Sequence, residues 1–599
     1  MLYSVAKLVP TVAQADAALD SRPPLLLPML VVVPLATALM IAAVPAARAR
    51  TIALLGTLVA LVGALAAMLV FRWGEPGFQL ACEFSWLSHL GINLSMAVDS
   101  VALMLVALTA LLGPICVQAS ATAITDRVKT YYAWLLILQA AMTGVFIARD
   151  LVLFYICFEF TLVPMFILIS LYGSTNRKKA AIKFFLYTFT GSVIALAGLV
   201  YVAWFNSHLS PAVINAVGAE LWQTFPKLGK WTFDIATLEQ AAQLMSGRQQ
   251  AWVLLALLAG FAVKVPLFPV HTWLPLAHTE APTAGSVILA GVLLKLGTYA
   301  IFRFCLPFCP VAVVEYAPLI GVLCVIGILY GGLICWVQTD VKKLVAYSSV
   351  AHLGFCILGL FALNHAGISG SILYMINHGL STGALFLLIG MIYERYHTRS
   401  MKELGGLAAR MPVWATFMVF FTMASVGLPG LNGFVSEFLC LLGAFQASTA
   451  WGSATGITAE GALDQGLWGS AGAAVPGATP GNLGPWFAAI AGIGMIVAAM
   501  YLLYMVGRIV WGPLVEPKGH DHAHDGDSAH SALPVDLCGR EVGVLIPLAV
   551  LCIALGVYPK PALDALSEPV KSVVMTVNAA RSTVEPSAMT TAAKEEAAQ

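Results

Sequence analysis

Six ionisable side chains stand inside long apolar runs. Glu159 lies in LVLFYICFEFTLVPMF, Lys264 in LLAGFAVKVPLFPV, Lys295 in VILAGVLLKLGTYAIF and Glu437 in LPGLNGFVSEFLCLLG. His352 and His378 lie in SSVAHLGF and YMINHGLS. Ionisable groups at such positions are expensive and mark function by default. The chemistry they suit is proton transfer. An amine taken out of water holds its charge poorly and can lose and regain a proton, and a carboxylate about 4–6 Å away restores the charged form. Glu159 with Lys264 is the expected pair of this kind. Lys295 and the histidines, whose rings titrate near neutrality, would pass the proton on to Glu437. Two plainer readings compete. A lysine near a span end can snorkel to the headgroups, but Lys295 lies about twelve residues into its run, near mid-depth at about 1.5 Å per residue. For each histidine, a core ring hydrogen-bonded to a neighbouring helix is an equal alternative to a relay member.

The helices that hold two of these residues should be broken. Pro266, Pro269, Pro275 and Pro282 follow Lys264, and Gly427, Pro429, Gly430 and Gly433 precede Glu437. Proline removes a backbone donor and clashes with the preceding turn. Unwound backbone at membrane depth is tolerated only against protein or a water-filled cavity. A window of about 20 apolar residues per span gives about fourteen candidates. They lie near 24–46, 51–71, 95–118, 130–148, 149–171, 181–205, 250–270, 283–306, 312–336, 344–363, 368–393, 411–445, 485–510 and 542–558. The two broken spans are the seventh and the twelfth. Breaks five spans apart suggest two related five-helix units, and inverted repeats with discontinuous helices are a known transporter design. The expectation is an all-α polytopic membrane protein. Its segments are spans 1–3 (residues 1–118), a first unit (130–306), a second unit (312–510), a His-rich loop (511–541), and a last span with a disordered tail (542–599).

Composition agrees. The chain of 599 residues is 60 % hydrophobic and 10 % charged, with mean hydropathy +0.87, against roughly 25 % charged residues in soluble domains. A net charge of +1 gives no reason to expect nucleic acid. The eleven cysteines lack CxxC pairs and read as buried free thiols. No cleavable signal is read at the N-terminus, where Asp16 and Asp20 stand in place of a basic region. If the N-terminus faces outside, alternate loops hold Arg48 and Arg50, Arg127 and Lys129, Arg177 to Lys179, Lys342 and Lys343, then Arg395, Arg399, Lys402 and Arg410, and finally Arg508, Lys518 and Arg540. The remaining short loops hold few basic residues, Arg149 being one. This is the positive-inside pattern, and it puts both termini outside. Residues 206–249 read as an outside loop with a short helix, and 451–484 as a flexible insertion. The HDHAHD run within 515–536 suits either weak divalent-metal binding or plain solvation.

At these residues the sequence resembles a known family: the antiporter-like membrane subunits of proton-translocating NADH–quinone oxidoreductase (respiratory complex I), closest in pattern to subunit M, or chain 4. The resemblance rests on FEFTLVPMFILISLYGSTNRKKAAIKFFLYT, FAVKVPLFPVHTWLPLAHTEAPTAGSVILAGVLLKLGTY, QTDVKKLVAYSSVAHLGF, MINHGLSTGALFLLIGMIYERYHTR, ASVGLPGLNGFVSEF and LGVYPKPALDAL. It runs from about residue 95 to 565. The resemblance implies fourteen spans, two inverted five-helix repeats and a central polar axis. It implies that Glu159 and Lys264 form the coupling pair, that Lys295, His352 and His378 line the axis, and that Glu437 is the outlet. It implies no cofactor or metal held by this chain, with NADH, FMN, iron–sulfur clusters and quinone in partner subunits. The implied partners are antiporter-like subunits L and N, small membrane subunits and the bilayer, in a bacterial inner membrane. The end soon after the fourteenth span separates it from subunit L, which carries a long lateral helix. One departure stands out. The family commonly reads LPDAH where this chain has LPLAH, so Leu276 replaces an acid, which bears on an inside inlet around His271 and His278. Two rival readings remain open: a subunit of a multi-subunit Na⁺/H⁺ antiporter or a membrane-bound hydrogenase-type complex, and a structural subunit whose buried charges serve helix packing.

Overall fold

The computed structural model describes residues 25–210, 219–448, 479, 481–517 and 536–596, with side chains to 581 in the last stretch. The His-rich run and most of the insertion 451–484 fall outside the described residues.

The chain opens with α1 (Leu26–Ala43) and α2 (Ala46–Val70), two apolar spans with much of their surface exposed. A two-stranded antiparallel hairpin follows, β1 (Gln79–Leu87) and β2 (Ile92–Val98). An all-α reading did not include it, and it moves the start of the third span from about 95 to Ser100. Next come α3 (Ser100–Ala119), α4 (Val128–Ile147), and α5 (Leu151–Phe160) with α6 (Leu162–Tyr172) as two parts of one crossing. Pro164 offers no N–H to the carbonyl four residues back, and the crossing parts at Thr161. Then α7 (Arg177–Ser207) leads to two short helices, α8 (Ala219–Thr224) and α9 (Ile235–Gln243), where one was expected.

The seventh crossing is broken as anticipated. Its first half is α10 (Gly247–Lys264), its second α11 (Leu274–Glu280), and Val265–Trp273 between them is turn. The eighth crossing, α12 (Thr283–Phe308), is helical throughout, but Leu289–Leu293 and Ile301–Cys305 are π turns. The ninth to eleventh crossings are α13 (Pro310–Trp336), α14 (Val341–Phe361) and α15 (His365–Tyr396). The twelfth is broken into α16 (Pro412–Val426) and α17 (Asn432–Gln446). Then come α18 (Pro485–Ile509) and α19 (Gly539–Val557). Among the described residues, twelve helical stretches are long and apolar enough to cross a membrane, and the two interrupted crossings bring the total to fourteen.

Several spans begin at acidic or amide caps. Asp99 accepts from Ala102 N (2.8 Å), Asp150 from Val152 N (2.9 Å), Asp340 from Lys342 N (2.8 Å) and Asn364 from Gly367 N (2.9 Å). Each cap satisfies a backbone donor that would otherwise be orphaned. Burial is greatest in α12, α14 and α15, so these three form the interior around which the others stand.

After the last span, α20 runs from Lys560 to Glu596, and so reaches into residues 580–599, the stretch read as a disordered tail. Leu566, Val570 and Val577 are fully buried along it, at the spacing of an apolar helical stripe. It lies against α3, α13, α15 and the last turn of α12. The last turn of α12 and the start of α20 lie on the same membrane side as the hairpin, here called the hairpin side.

Candidate functional site

Five side chains form a nearly continuous polar line through the interior. Lys295 is wholly buried on α12, between the two π turns. Its Nζ donates to Ala290 O and meets His378 Nδ1 at 2.8 Å. A π turn alters how backbone carbonyls are shared, and Ala290 lies in the first of them. His378 on α15 faces His352 on α14 with ring centroids 5.8 Å apart, and the Nε2 of each ring lacks a protein partner. His352 Nδ1 lies 2.6 Å from Tyr374 OH and 3.2 Å from Glu437 Oε1. Tyr374 donates to the same Oε1 at 2.5 Å. With the phenol hydrogen spent on the carboxylate, His352 Nδ1 must carry the hydrogen in its own contacts.

The break in the twelfth span sets Glu437 in this position. Gly427 ends α16 in a left-handed conformation (φ 83°) with its N–H on Met423 O, a glycine C-terminal motif. Pro429 prevents continuation. Asn377 Nδ2 then donates to Asn432 O (2.7 Å), and Asn432 Nδ2 donates back to Asn377 O (3.1 Å). This reciprocal pair hangs the start of α17 on α15. Glu437 follows on the second turn of α17, opposite Tyr374.

Lys264 has Glu159 as a charge neighbour, as expected, but its amine is held by other acceptors. It is buried at the end of α10, and its Nζ donates to Phe158 O (2.9 Å) and Thr161 Oγ1 (3.2 Å), 3.7 Å from the centre of the Phe158 ring. These acceptors sit where Pro164 parts the fifth crossing. The Glu159 carboxylate makes no salt bridge with Lys264 among the described residues. Its oxygens are buried without a hydrogen-bond partner, with Ser192 standing near. Lys264 and Glu159 are neighbours rather than a contact pair. No hydrogen bond joins Lys264 to Lys295 among the described residues.

His271 lies three residues before α11 and His278 within it. His271 is buried against Phe268 and Tyr330. His278 lies flat on Phe386 (centroids 4.6 Å apart, planes at 1°), with neither ring nitrogen bonded. Cations secure the far end of α11: Lys342 Nζ donates to Ala281 O (2.6 Å) and Arg399 to Thr279 O (2.6 Å). The negative end of a helix favours such partners. Glu280 accepts from Asn176 N (2.9 Å). Sequence reasoning missed Lys342, Arg399 and Tyr374 as members of this interior. Tyr374 stands four residues before His378, on the same helical face, and that spacing was the available signal. Among the described residues no group of three or more His, Cys, Asp or Glu is placed to hold a metal ion.

Residues 148–461 match the family described as NADH:quinone oxidoreductase/Mrp antiporter, TM. The NADH-quinone oxidoreductase subunit M of Rhodobacter capsulatus is 38 % identical, over 92 % of this chain and 97 % of that protein. A chain of respiratory complex I from Thermus thermophilus with bound NADH superposes with TM-score 0.72 at 27 % identity, covering 92 % of this chain and 99 % of that one. A chain of the Mrp complex from Dietzia sp. DQ12-45-1b shares the fold at TM-score 0.70 and 20 % identity.

Proposed function

The chain belongs to the NADH:quinone oxidoreductase/Mrp antiporter membrane family, and we propose that it is the proton-translocating M-type subunit of an NADH–quinone oxidoreductase. The observation that carries this reading is the buried line Lys295–His378–His352–Tyr374–Glu437. A structural role would call for paired charges. Here a lysine with no carboxylate partner ends on a neutral ring nitrogen, which is a poised donor–acceptor contact.

The steps follow from the atoms. Lys295 gives a proton to His378 Nδ1, the titratable group it touches. The two unpartnered Nε2 atoms set the next step, crossed by a ring rotation or a bridging water. His352 then delivers through Nδ1 to Glu437 Oε1, with Tyr374 OH bound to both groups. Glu437 is the outlet. Lys264, released from Phe158 O and Thr161 Oγ1 toward the Glu159 carboxylate, is the switch upstream. A lysine drawn to Glu159 keeps its proton, and one returned to neutral acceptors gives it up more readily. His271 and His278 mark the inlet, with Lys342 and Arg399 holding α11 in place of the acid absent at Leu276.

NADH, FMN, iron–sulfur clusters and quinone are assigned to partner subunits, and the membrane neighbours are taken to be subunits of the L and N type. Spans 4–8 and 9–13 are read as the two inverted units, in a bacterial inner membrane with both termini outside. The Na⁺/H⁺ antiporter reading shares the family description and a fold at 20 % identity, whereas the subunit M relative is 38 % identical over 92 % of this chain. Lys295→Ala in the assembled complex is the test. NADH-driven proton uptake into sealed vesicles should be lost while the complex still assembles. Coupled pumping at the normal rate would sink the mechanism.

A further inference from the structure

One face of the molecule carries a groove that the polar line does not use. It lies between α10 and α13, encloses about 740 Å³, and is walled mainly by apolar side chains. Arg248 and Glu315 stand at its hairpin-side end, and Phe268 to Val270, in the break of the seventh span, close the other. The stretch from Ala251 to Val263 covers about 18 Å at 1.5 Å per residue, against about 15 Å for half of the hydrocarbon core. The groove is therefore one leaflet deep. A second groove, rimmed by Lys179 and Lys183, continues on the other half and meets it at Ala259 and Val263.

The rim says what belongs there. Trp252 is 64 % and Tyr316 38 % exposed, and such rings sit at headgroup level. Arg248 and Glu315 are both exposed. A guanidinium suits a phosphate, and a carboxylate suits an ammonium. Together at one end of the groove they complement a zwitterionic headgroup, whereas a purely anionic one would meet Glu315 as a like charge. We propose that this groove retains a phospholipid of the phosphatidylethanolamine type. Its phosphate rests on Arg248 and its ammonium on Glu315, while the acyl chains run past Leu255 and Leu319 to the break. The lipid tail would thus form part of the wall behind the turn that follows Lys264.

The test uses the intact complex in nanodiscs holding equal phosphatidylethanolamine and phosphatidylglycerol, each in turn carrying a photoreactive acyl chain. Crosslinks are mapped by peptide mass spectrometry. Labelling of residues 251–263 by the phosphatidylethanolamine probe is expected. Arg248→Gln should lower it about fivefold, the effect of one charge near a headgroup layer. Glu315→Gln should shift labelling toward phosphatidylglycerol by a similar factor. Both residues are exposed, so both variants should assemble as the native chain does. Three results would overturn the proposal: equal labelling by the two probes in the native complex, no change in either variant, or a partner subunit's helix crosslinked into the groove.

Discussion

Tyr374 binds both His352 and Glu437 through one oxygen, so its hydroxyl decides how the last transfer is held. Tyr374→Phe leaves the ring in place and removes two buried hydrogen bonds. An unsatisfied buried group costs about 1–3 kcal/mol, enough to slow a step through that pair roughly tenfold. Proton pumping measured with a potential-sensitive dye should fall accordingly, with NADH oxidation by the assembled complex as the control. A native pumping rate would remove Tyr374 from the path. At this scale much was legible. Lys264, Lys295, His352, His378 and Glu437 are all buried, and four of them fall on one line, because a charged group in an apolar run has few other reasons to be there. The partners were less legible. Glu159 was expected within about 4–6 Å of Lys264, and the two are charge neighbours, but the acceptors that hold the amine, Phe158 O and Thr161 Oγ1, were not read from the sequence. Sequence depth gives the height of a residue in the membrane but not the direction in which its side chain leaves the helix.

At the scale of elements, both breaks were legible because proline and glycine act locally on the backbone. The hairpin, the π turns and α20 were not. A π turn arises from packing on several sides and leaves no local composition. The stripe of α20, at Leu566, Val570 and Val577, was present in the sequence between the last span and residues 580–599. The break in the twelfth span yields a paired prediction. Gly427 (φ 83°) and Gly430 (φ 93°) are both left-handed, so alanine at either costs about 1–2 kcal/mol. A Cβ at Gly427 would lie 2.6 Å from Glu437 Oε2, whereas one at Gly430 meets nothing within 4 Å. Both variants should lower the thermal midpoint of the purified complex, but only Gly427→Ala should also depress pumping per electron. Equal pumping defects in the two would mean that the outlet senses general loosening of the break and not the place of the Glu437 carboxylate.

For the whole molecule, fourteen crossings with an outside N-terminus put Ser88 in the hairpin outside and Thr175, between α6 and α7, inside. Both are exposed. A membrane-impermeant thiol reagent should therefore label Ser88→Cys in right-side-out vesicles and Thr175→Cys only in inverted ones, above the native background. The reverse pattern would overturn the orientation drawn from loop charges. The hairpin side holds a largely buried ion pair, Arg303 on Asp99 (2.5 Å), and an apolar strap besides. There α20 lies against the third, eighth, ninth and eleventh spans, seated by Leu566, Val570 and Val577. On the opposite side the joints are ionic or polar: Arg395 on Glu541 (2.8 Å), Arg399 on Asp340 (3.6 Å), and Lys342 on Ala281 O. An apolar strap resists shear over its whole length, whereas an ion pair can exchange partners within a few ångströms. Should the two units tilt against each other during turnover, the fulcrum lies under α20, and the far ends of the spans, where the inlet residues sit, have the longer lever arm.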